Sequence, residues 1–460
     1  MYNAYITIIK NLRPHPNADR LDLVDCFGNT VCVSHGEFAE GDLAVYFPTD
    51  GQLSEEFCQV HDLVRRKDDA GNPCGGYLEP GKRNIRAIRL RGEKSDGLVM
   101  PLHCLEYTGV DINTLEAGFA FTAINGKEIC CKYIPRSNRR GQSCNAGNRT
   151  RKKKAPVAPL FAEHADTEQL AYNLSAFKPG DEIEITLKMH GTSGRTARLP
   201  VLKGYRRTLL DRILRREGTP IYEDGYVSGT RRVVLENYEG GFYGDNSFRE
   251  KHSKFFEGKL MKGETVYHEI VGFTDSGAPI MGDGNNEKVG KDFVAQYGKT
   301  TTFSYGCYPT GKKKMFGNDD IGEFHIEVDA PRSEIYVYRM TMTNEDGFVV
   351  EYTPDFMRYR CEQMGVKYVQ LFKKFIIPIN ALTRAYQDPG DYILERAEEF
   401  YDGPDPVGKT HVREGVVVRI VNRPKFTAYK HKNFSFKVLE GIIKDTAAAP
   451  DMEEAQEVIE

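Results

Sequence analysis

The chain has 460 residues, with 63 Lys and Arg against 66 Asp and Glu and a formal net charge of -3. Its 40% hydrophobic and 28% charged residues match ordinary globular usage, which excludes wholesale disorder and a wholly basic, histone-like binder while leaving room for a local basic face. At roughly 100–200 residues per domain, two to four domains are expected. No apolar run approaches the ~18 residues of a membrane span, and Met1-Tyr2-Asn3-Ala4-Tyr5-Ile6-Thr7 lacks the basic-then-apolar layout of a signal peptide. Cysteines are scattered, Cys130-Cys131 is adjacent, and no pair of CxxC motifs exists. A reduced, cytoplasmic setting without a zinc site is the expectation.

In chain order, the first stretch reads as β. Tyr5-Ile6-Thr7-Ile8-Ile9 is largely β-branched, and Pro14-His15-Pro16-Asn17-Ala18-Asp19 is a dense turn signal. Short candidate strands follow at Val31–Val33, Leu43–Phe47, Ile85–Leu90 and Leu98–Met100. Many short strands within about 120 residues predict a small barrel or sandwich. The segment from Pro14 to Leu21 resembles the opening strand and turn of OB-fold modules that bind RNA; a plain β-barrel spacer is the alternative.

Composition then breaks. Arg136, Arg139, Arg140, Arg149, Arg151, Lys152, Lys153 and Lys154 occur among Gly, Ser and Asn with no acidic residue. This predicts a basic flexible linker, either touching nucleic-acid phosphates or simply tethering two domains. The expected organisation is an α+β protein: an OB-like domain over 1–125, the linker over 126–160, a mixed α/β domain over 161–445 and an acidic tail over 446–460. Within the large domain, the latter part of Val201–Arg216 has the spacing of a basic amphipathic helix. Gly282–Gly290 and Pro309–Asn318 read as loops.

Asp181–Leu187 alternates polar and apolar residues and runs into Lys188-Met189-His190-Gly191-Thr192-Ser193-Gly194. A lysine at a strand end is held still, and the glycine turn behind it lets a phosphate approach the backbone. The amine must be neutral to attack, a form favoured by nearby cations. Lys94-Ser95-Asp96-Gly97 has the same pattern but sits in the predicted barrel, with no arginine turn following at a comparable distance. Downstream of Lys188 come Val227-Ser228-Gly229-Thr230-Arg231-Arg232, then Tyr267-His268-Glu269-Ile270-Val271-Gly272, which places Glu269 in an apolar strand. Ile335-Tyr336-Val337-Tyr338-Arg339-Met340 is an alternating strand, and Glu414 heads the run Gly415-Val416-Val417-Val418. Tyr429-Lys430-His431-Lys432 presents two lysines on one face of a strand.

This order resembles the covalent nucleotidyltransferase superfamily, and within it the ATP-dependent RNA ligases: Lys-x-(Asp/His)-Gly, an arginine motif, Glu-x-x-Gly, an aromatic strand, a Glu-Gly strand and Lys-x-Lys, all between Lys188 and Lys432. The branch with an N-terminal OB domain is the most similar. The resemblance implies that Lys188 attacks the α-phosphate of ATP to form lysyl-AMP. AMP then passes to an RNA 5′-phosphate, and a 3′-hydroxyl displaces it in sealing. It implies nucleotide contacts from His190, Gly191, Arg231 (with Arg232 the rival), Tyr338 (with Tyr336 the rival), Lys430 and Lys432. Glu269 and Glu414 would hold Mg²⁺ or Mn²⁺. His190 stands where many relatives carry aspartate, and RNA-joining members commonly show histidine.

Each of these residues also has an ordinary structural explanation. A tyrosine on a strand is usually core packing, a lysine pair can guard an edge strand, and Glu269 could be a surface residue of a half-buried strand. A carboxylate before Val416-Val417-Val418 is costly unless paired or used. The stretch after Lys432 is too short for the trailing OB module of DNA ligases and capping guanylyltransferases. The expected protein is a cytoplasmic monomer that acts in RNA repair on RNA, a nicked duplex among its candidate forms, and that binds ATP and no membrane. The alternatives are a DNA or mixed RNA/DNA nick ligase, or a catalytically inactive RNA-binding protein.

Overall fold

The computed structural model describes residues 2–68, 70–134, 155–165, 167–214, 216, 218–235, 238, 246–309, 332–379 and 388–445. Most of the basic linker segment (135–154), the acidic tail (446–460) and nearly all of the Pro309–Asn318 loop lie outside the described residues.

In the first unit, Ala4–Ile8 runs antiparallel between Leu43–Phe47 and Ala120–Phe121, and Leu98–Pro101 flanks Leu43–Phe47 on its other side. The Pro14–Asp19 turn leads from Lys10–Pro14 into Leu21–Cys26, which pairs with Asn29–Ser34. That hairpin closes on Phe27 (φ 50°) and Gly28 (φ 75°), the left-handed pair that matches strand twist in a two-residue turn. Alternation sends Ala4 and Ile6 into a core with Val45, Phe47, Leu53 and Phe57. Val24, Val31, Ala44 and Tyr46 fill a second cluster. Strand pairing in this unit continues to Cys130–Lys132, which joins Gly51–Leu53.

The second unit is built on two mainly antiparallel sheets, with Glu168–Gln169 pairing parallel to Thr427–Lys432. One runs in the order Glu168–Gln169, Thr427–Lys432, Gly415–Ile420, Glu182–Lys188, Leu371–Ile376. The other runs Thr219–Gly229, Thr192–Arg206, Glu264–Gly272, Ser333–Thr343, Val349–Glu351. The chain passes from the first sheet to the second between Lys188 and Thr192, so the short turn through His190 and Gly191 lies at the seam. Leu187, Met189, Val271, Tyr305 and Tyr336 pack together there, away from water.

In the latter part of Val201–Arg216, where a helix is expected, Leu209–Ile213 is helical, although the helix is short. Residues through Arg206 extend the long strand Thr192–Arg206, with Val201 opposite Glu223 and Tyr205 opposite Pro220. Ladder pairing with Thr219–Gly229 supplies the backbone of that strand with its partners. Leu209, Leu210, Ile213 and Leu214 are left exposed at this tip.

The two units are in direct contact. Tyr172 of the second stacks on Tyr5 of the first, with ring centroids 4.6 Å apart, and meets Phe27 edge-on at 5.2 Å. Lys437, on the last helix Phe434–Asp445, forms a 2.6 Å ion pair with the buried Asp96 of the strand Glu93–Asp96. Among the described residues every cysteine is a free thiol, and no helix is long and apolar enough to cross a membrane.

Candidate active site

Lys188 is the last residue of its strand, paired opposite Gly415, and strand geometry aims its side chain at the seam. Its Nζ is 2.8 Å from Oε1 of Glu414. Gly191 is required by crowding: a β-carbon there would stand 2.4 Å from the Ile270 carbonyl oxygen and 2.9 Å from Cγ of Glu269. The turn therefore lies directly on the strand that carries Glu269. The backbone N–H of His190 donates to the buried Tyr305 hydroxyl at 2.7 Å, and the His190 ring sits edge-on between Phe303 and Phe436. Burial in this aromatic cage pushes the His190 imidazole down to about 4, against an opposing pull from the Glu414 carboxylate.

Glu414 is 2% exposed and precedes the strand Gly415–Ile420. Gly415 has φ 147°, and a β-carbon on it would stand 2.1 Å from the His431 carbonyl oxygen, so only glycine lets the Lys430–Lys432 strand pass this close. Lys432 Nζ lies 3.5 Å from the same Glu414 Oε1 that pairs with Lys188, and 2.7 Å from Glu440 on the last helix. The other Glu414 oxygen, Oε2, is buried without a hydrogen-bond partner, with His190 Nδ1 at 3.9 Å. Lys430 lies two residues before Lys432 on the same strand. Burial, and then the charges of Lys432, Lys188, Lys132 and Arg231, push the Lys430 ammonium down to about 8. That balance gathers Lys188, Arg231 and both lysines of the pair into one zone of positive potential, with Lys132 of the first unit adding to it.

Glu269 lies in register with Ser193 on one side and Tyr336 on the other. Its charge and that of Glu414 both act on the buried Tyr305 hydroxyl, raising it, although burial is the main cause. Tyr336 is 7% exposed and belongs to the core cluster, whereas Tyr338 is half-buried against that cluster with its hydroxyl 3.3 Å from Ser193 Oγ. Of the two candidates, Tyr338 is therefore the less buried, with the His164 ring packed on it at 5.2 Å. Arg231 follows the strand Thr219–Gly229 in a turn that Arg195 braces from below. Arg195, 1% exposed, donates to the carbonyls of Thr230 at 2.8 Å, Arg232 at 2.9 Å and Phe161 at 3.1 Å, and also to that of Ala162. Its guanidinium lies over the Phe161 ring at 4.0 Å.

A family model described as an OB-fold domain matches residues 4–102. No curated protein sequence matches the chain. Solved structures do. A Naegleria gruberi RNA ligase mutant with ATP and manganese superposes with a TM-score of 0.52 at 16% identity, over 95% of this chain and 97% of that one. The same ligase with pyrophosphate gives 0.53 at 16% identity over 94% and 97%, and a mutant with AMP and manganese gives 0.53 at 15% over 94% and 97%. The chain has the fold of an RNA ligase.

Within this ligase fold, three residues important to the site were not picked out from the sequence. Arg195 and Arg249 are buried arginines, and Arg249 holds the glycine turn by donating to the Ser193 carbonyl at 2.9 Å and to the Thr192 hydroxyl. Tyr305 caps the His190 amide from a segment with no motif. None left a distinguishing local signal: Arg198 stands three residues after Arg195 in the same strand Thr192–Arg206. A divalent ion fits the donor set: Glu414 offers a buried oxygen with no partner, and Glu269 shares the seam. Among the described residues no three His, Cys, Asp or Glu side chains gather as a ligand cluster. An ion held partly through its own waters needs fewer protein ligands.

Proposed function

We propose that this protein is an ATP-dependent RNA ligase that joins 3′-hydroxyl and 5′-phosphate ends. The observation that carries the reading is the convergence of Lys188, Lys432 and His190 on the single buried carboxylate Glu414, beside a glycine turn that only a glycine can make. Likeness to the Naegleria ligase supports it at the level of fold.

In this reading Lys188 Nζ, having lost its proton to solvent, attacks the α-phosphorus of ATP. A P–N bond forms, the bond to the bridging oxygen breaks and pyrophosphate leaves. An oxygen of an RNA 5′-phosphate next attacks that phosphorus, breaking the P–N bond and returning the amine. Finally a 3′-hydroxyl attacks the activated 5′-phosphorus, loses its proton, and AMP departs. Each step is phosphoryl transfer, so positioning and charge neutralisation carry the catalysis. Lys430 and Lys432 supply positive charge at the α-phosphate, and Arg231 reaches ribose or phosphate with the fork geometry suited to either. Tyr338 offers its face to adenine, and His190 and Gly191 shape the floor beneath the phosphate. Glu269 and Glu414 would hold a magnesium or manganese ion, whose charge would offset that of the triphosphate.

Mass spectrometry after incubation with ATP and magnesium tests this. One adenylate should map to the peptide containing Lys188, and Lys188→Ala should abolish it while Lys94→Ala retains it. Adduct on Lys94, or no adduct on folded protein, overturns the reading; competition with labelled GTP tests the choice of base. A ligase of DNA or mixed nicks would show the same adduct, and sealing assays on matched RNA and DNA nicks separate the two. An inactive RNA-binding protein would show none.

A further inference from the structure

The helix Phe434–Asp445 begins two residues after Lys432 and touches both the site and the OB-fold domain. On the site side, Phe436 meets the His190 ring at 4.8 Å, and both oxygens of Glu440 accept from Lys432 Nζ, at 2.7 and 2.9 Å. On the other side, Phe434 lies beneath Arg89 at 5.5 Å, and Lys437 Nζ reaches Asp96 at 2.6 Å and Asn29 Oδ1 at 3.4 Å. Asp96 is 4% exposed, and its second oxygen has no partner, so its charge depends on Lys437. Lys437 and Glu440 are three residues apart, neighbours on one helix surface. The helix therefore ties Asp96, through Lys437 on its one side, to Lys432, through Glu440. Without Glu440, Lys432 would keep the Glu414 carboxylate, 3.5 Å away, and would shift toward it.

We propose that the OB-fold domain positions Lys432 through this helix, with Asp96 and Glu440 as positioning residues. This rests on reading Lys432 as a phosphate-binding residue. The prediction is that disturbing Asp96 weakens the grip on the nucleotide only while Lys432 is present to be misplaced.

The test is a double-mutant cycle on ATP binding, measured calorimetrically with magnesium in the full chain carrying Lys188→Ala, which prevents turnover. Asp96→Asn and Glu440→Gln should each weaken ATP binding about tenfold, and neither should weaken it further in a Lys432→Ala background. Equal losses with and without Lys432, or no loss from either variant, overturn the proposal. The charge-swapped pair Asp96→Lys with Lys437→Asp gives an independent arm. Recovered affinity supports the relay, and a folded swap that binds no better than Asp96→Asn overturns it. Where Asp96→Asn does not fold, the Glu440→Gln cycle decides alone. Failure of the underlying site reading is seen separately, as the absence of any adenylate on the protein with Lys188 intact.

Discussion

Lys188 Nζ lies 2.8 Å from Oε1 of Glu414, and Lys432 Nζ lies 3.5 Å from that same atom. One buried carboxylate thus holds Lys188, the proposed nucleophile, and Lys432, proposed to bind phosphate, in a fixed relation. Both ammonium groups lose a partner if its charge is removed, while the shape of the site is kept. Glu414→Gln should therefore slow transfer of AMP to the protein by about 10²–10³-fold, the range for removal of one preorganised electrostatic contact. Single-turnover labelling with α-labelled ATP measures this, and a rate within threefold of wild type would remove Glu414 from the site.

Lys430 gives the binding step a pH dependence. Its ammonium is held down to about 8 in the ligand-free protein, chiefly by burial and then by neighbouring positive charge. A bound phosphate favours the charged form, so below pH 8 the site binds as it stands. Above pH 8 binding must take up a proton, and ATP affinity should fall by up to about tenfold per pH unit. Titrations of the Lys188→Ala chain from pH 6.5 to 9.5 should show a break somewhat above 8, because the Lys188 charge that helps hold Lys430 down is gone. Lys430→Arg, always charged, should flatten it.

Arg195 cannot be replaced by lysine. Its planar fork serves four carbonyls, those of Phe161, Ala162, Thr230 and Arg232, and a single ammonium cannot reach them all. Arg195→Lys should lower the unfolding free energy by about 2–3 kcal/mol, the usual cost of leaving buried polar groups unsatisfied. The Arg231 turn should loosen with it. Urea unfolding gives the first quantity and hydrogen exchange at residues 229–233 the second. A variant with wild-type protection there would detach Arg195 from the site.

Acid should destabilise the fold through its buried histidines. Burial pushes His190 and His252 down to about 4, and His268 and His431 to about 3. In the unfolded chain these imidazoles take protons near the ordinary value of about 6.5. The unfolded state thus binds more protons below that pH, and stability that is complete above it is lost as pH falls through 6 and 5 toward 4. Urea midpoints between pH 7 and 4.5 should fall accordingly. His252→Gln, which retains a polar group beside Ser333 Oγ, should make the slope shallower by about one proton.

Local patterning determined much of this protein from the sequence alone. Period-two alternation marked the strands that carry Lys188 and Tyr338, the strand of Glu269 read as an apolar run, and the i, i+2 spacing of Lys430 and Lys432 placed them on one strand face. The glycine turn after Lys188 was legible as a place where a phosphate can approach, but the close strand approaches at Gly191 and Gly415 were not. Arg195, Arg249 and Tyr305 were not legible either, because each acts on chain segments remote in sequence and no local spacing encodes such a meeting. Nor could spacing show that Asp96, in the rejected Lys94–Gly97 motif, is an interdomain anchor for the helix after Lys432. Tertiary structure decided these points because charge and close packing act through space, and only folding brings Asp96 within 2.6 Å of Lys437.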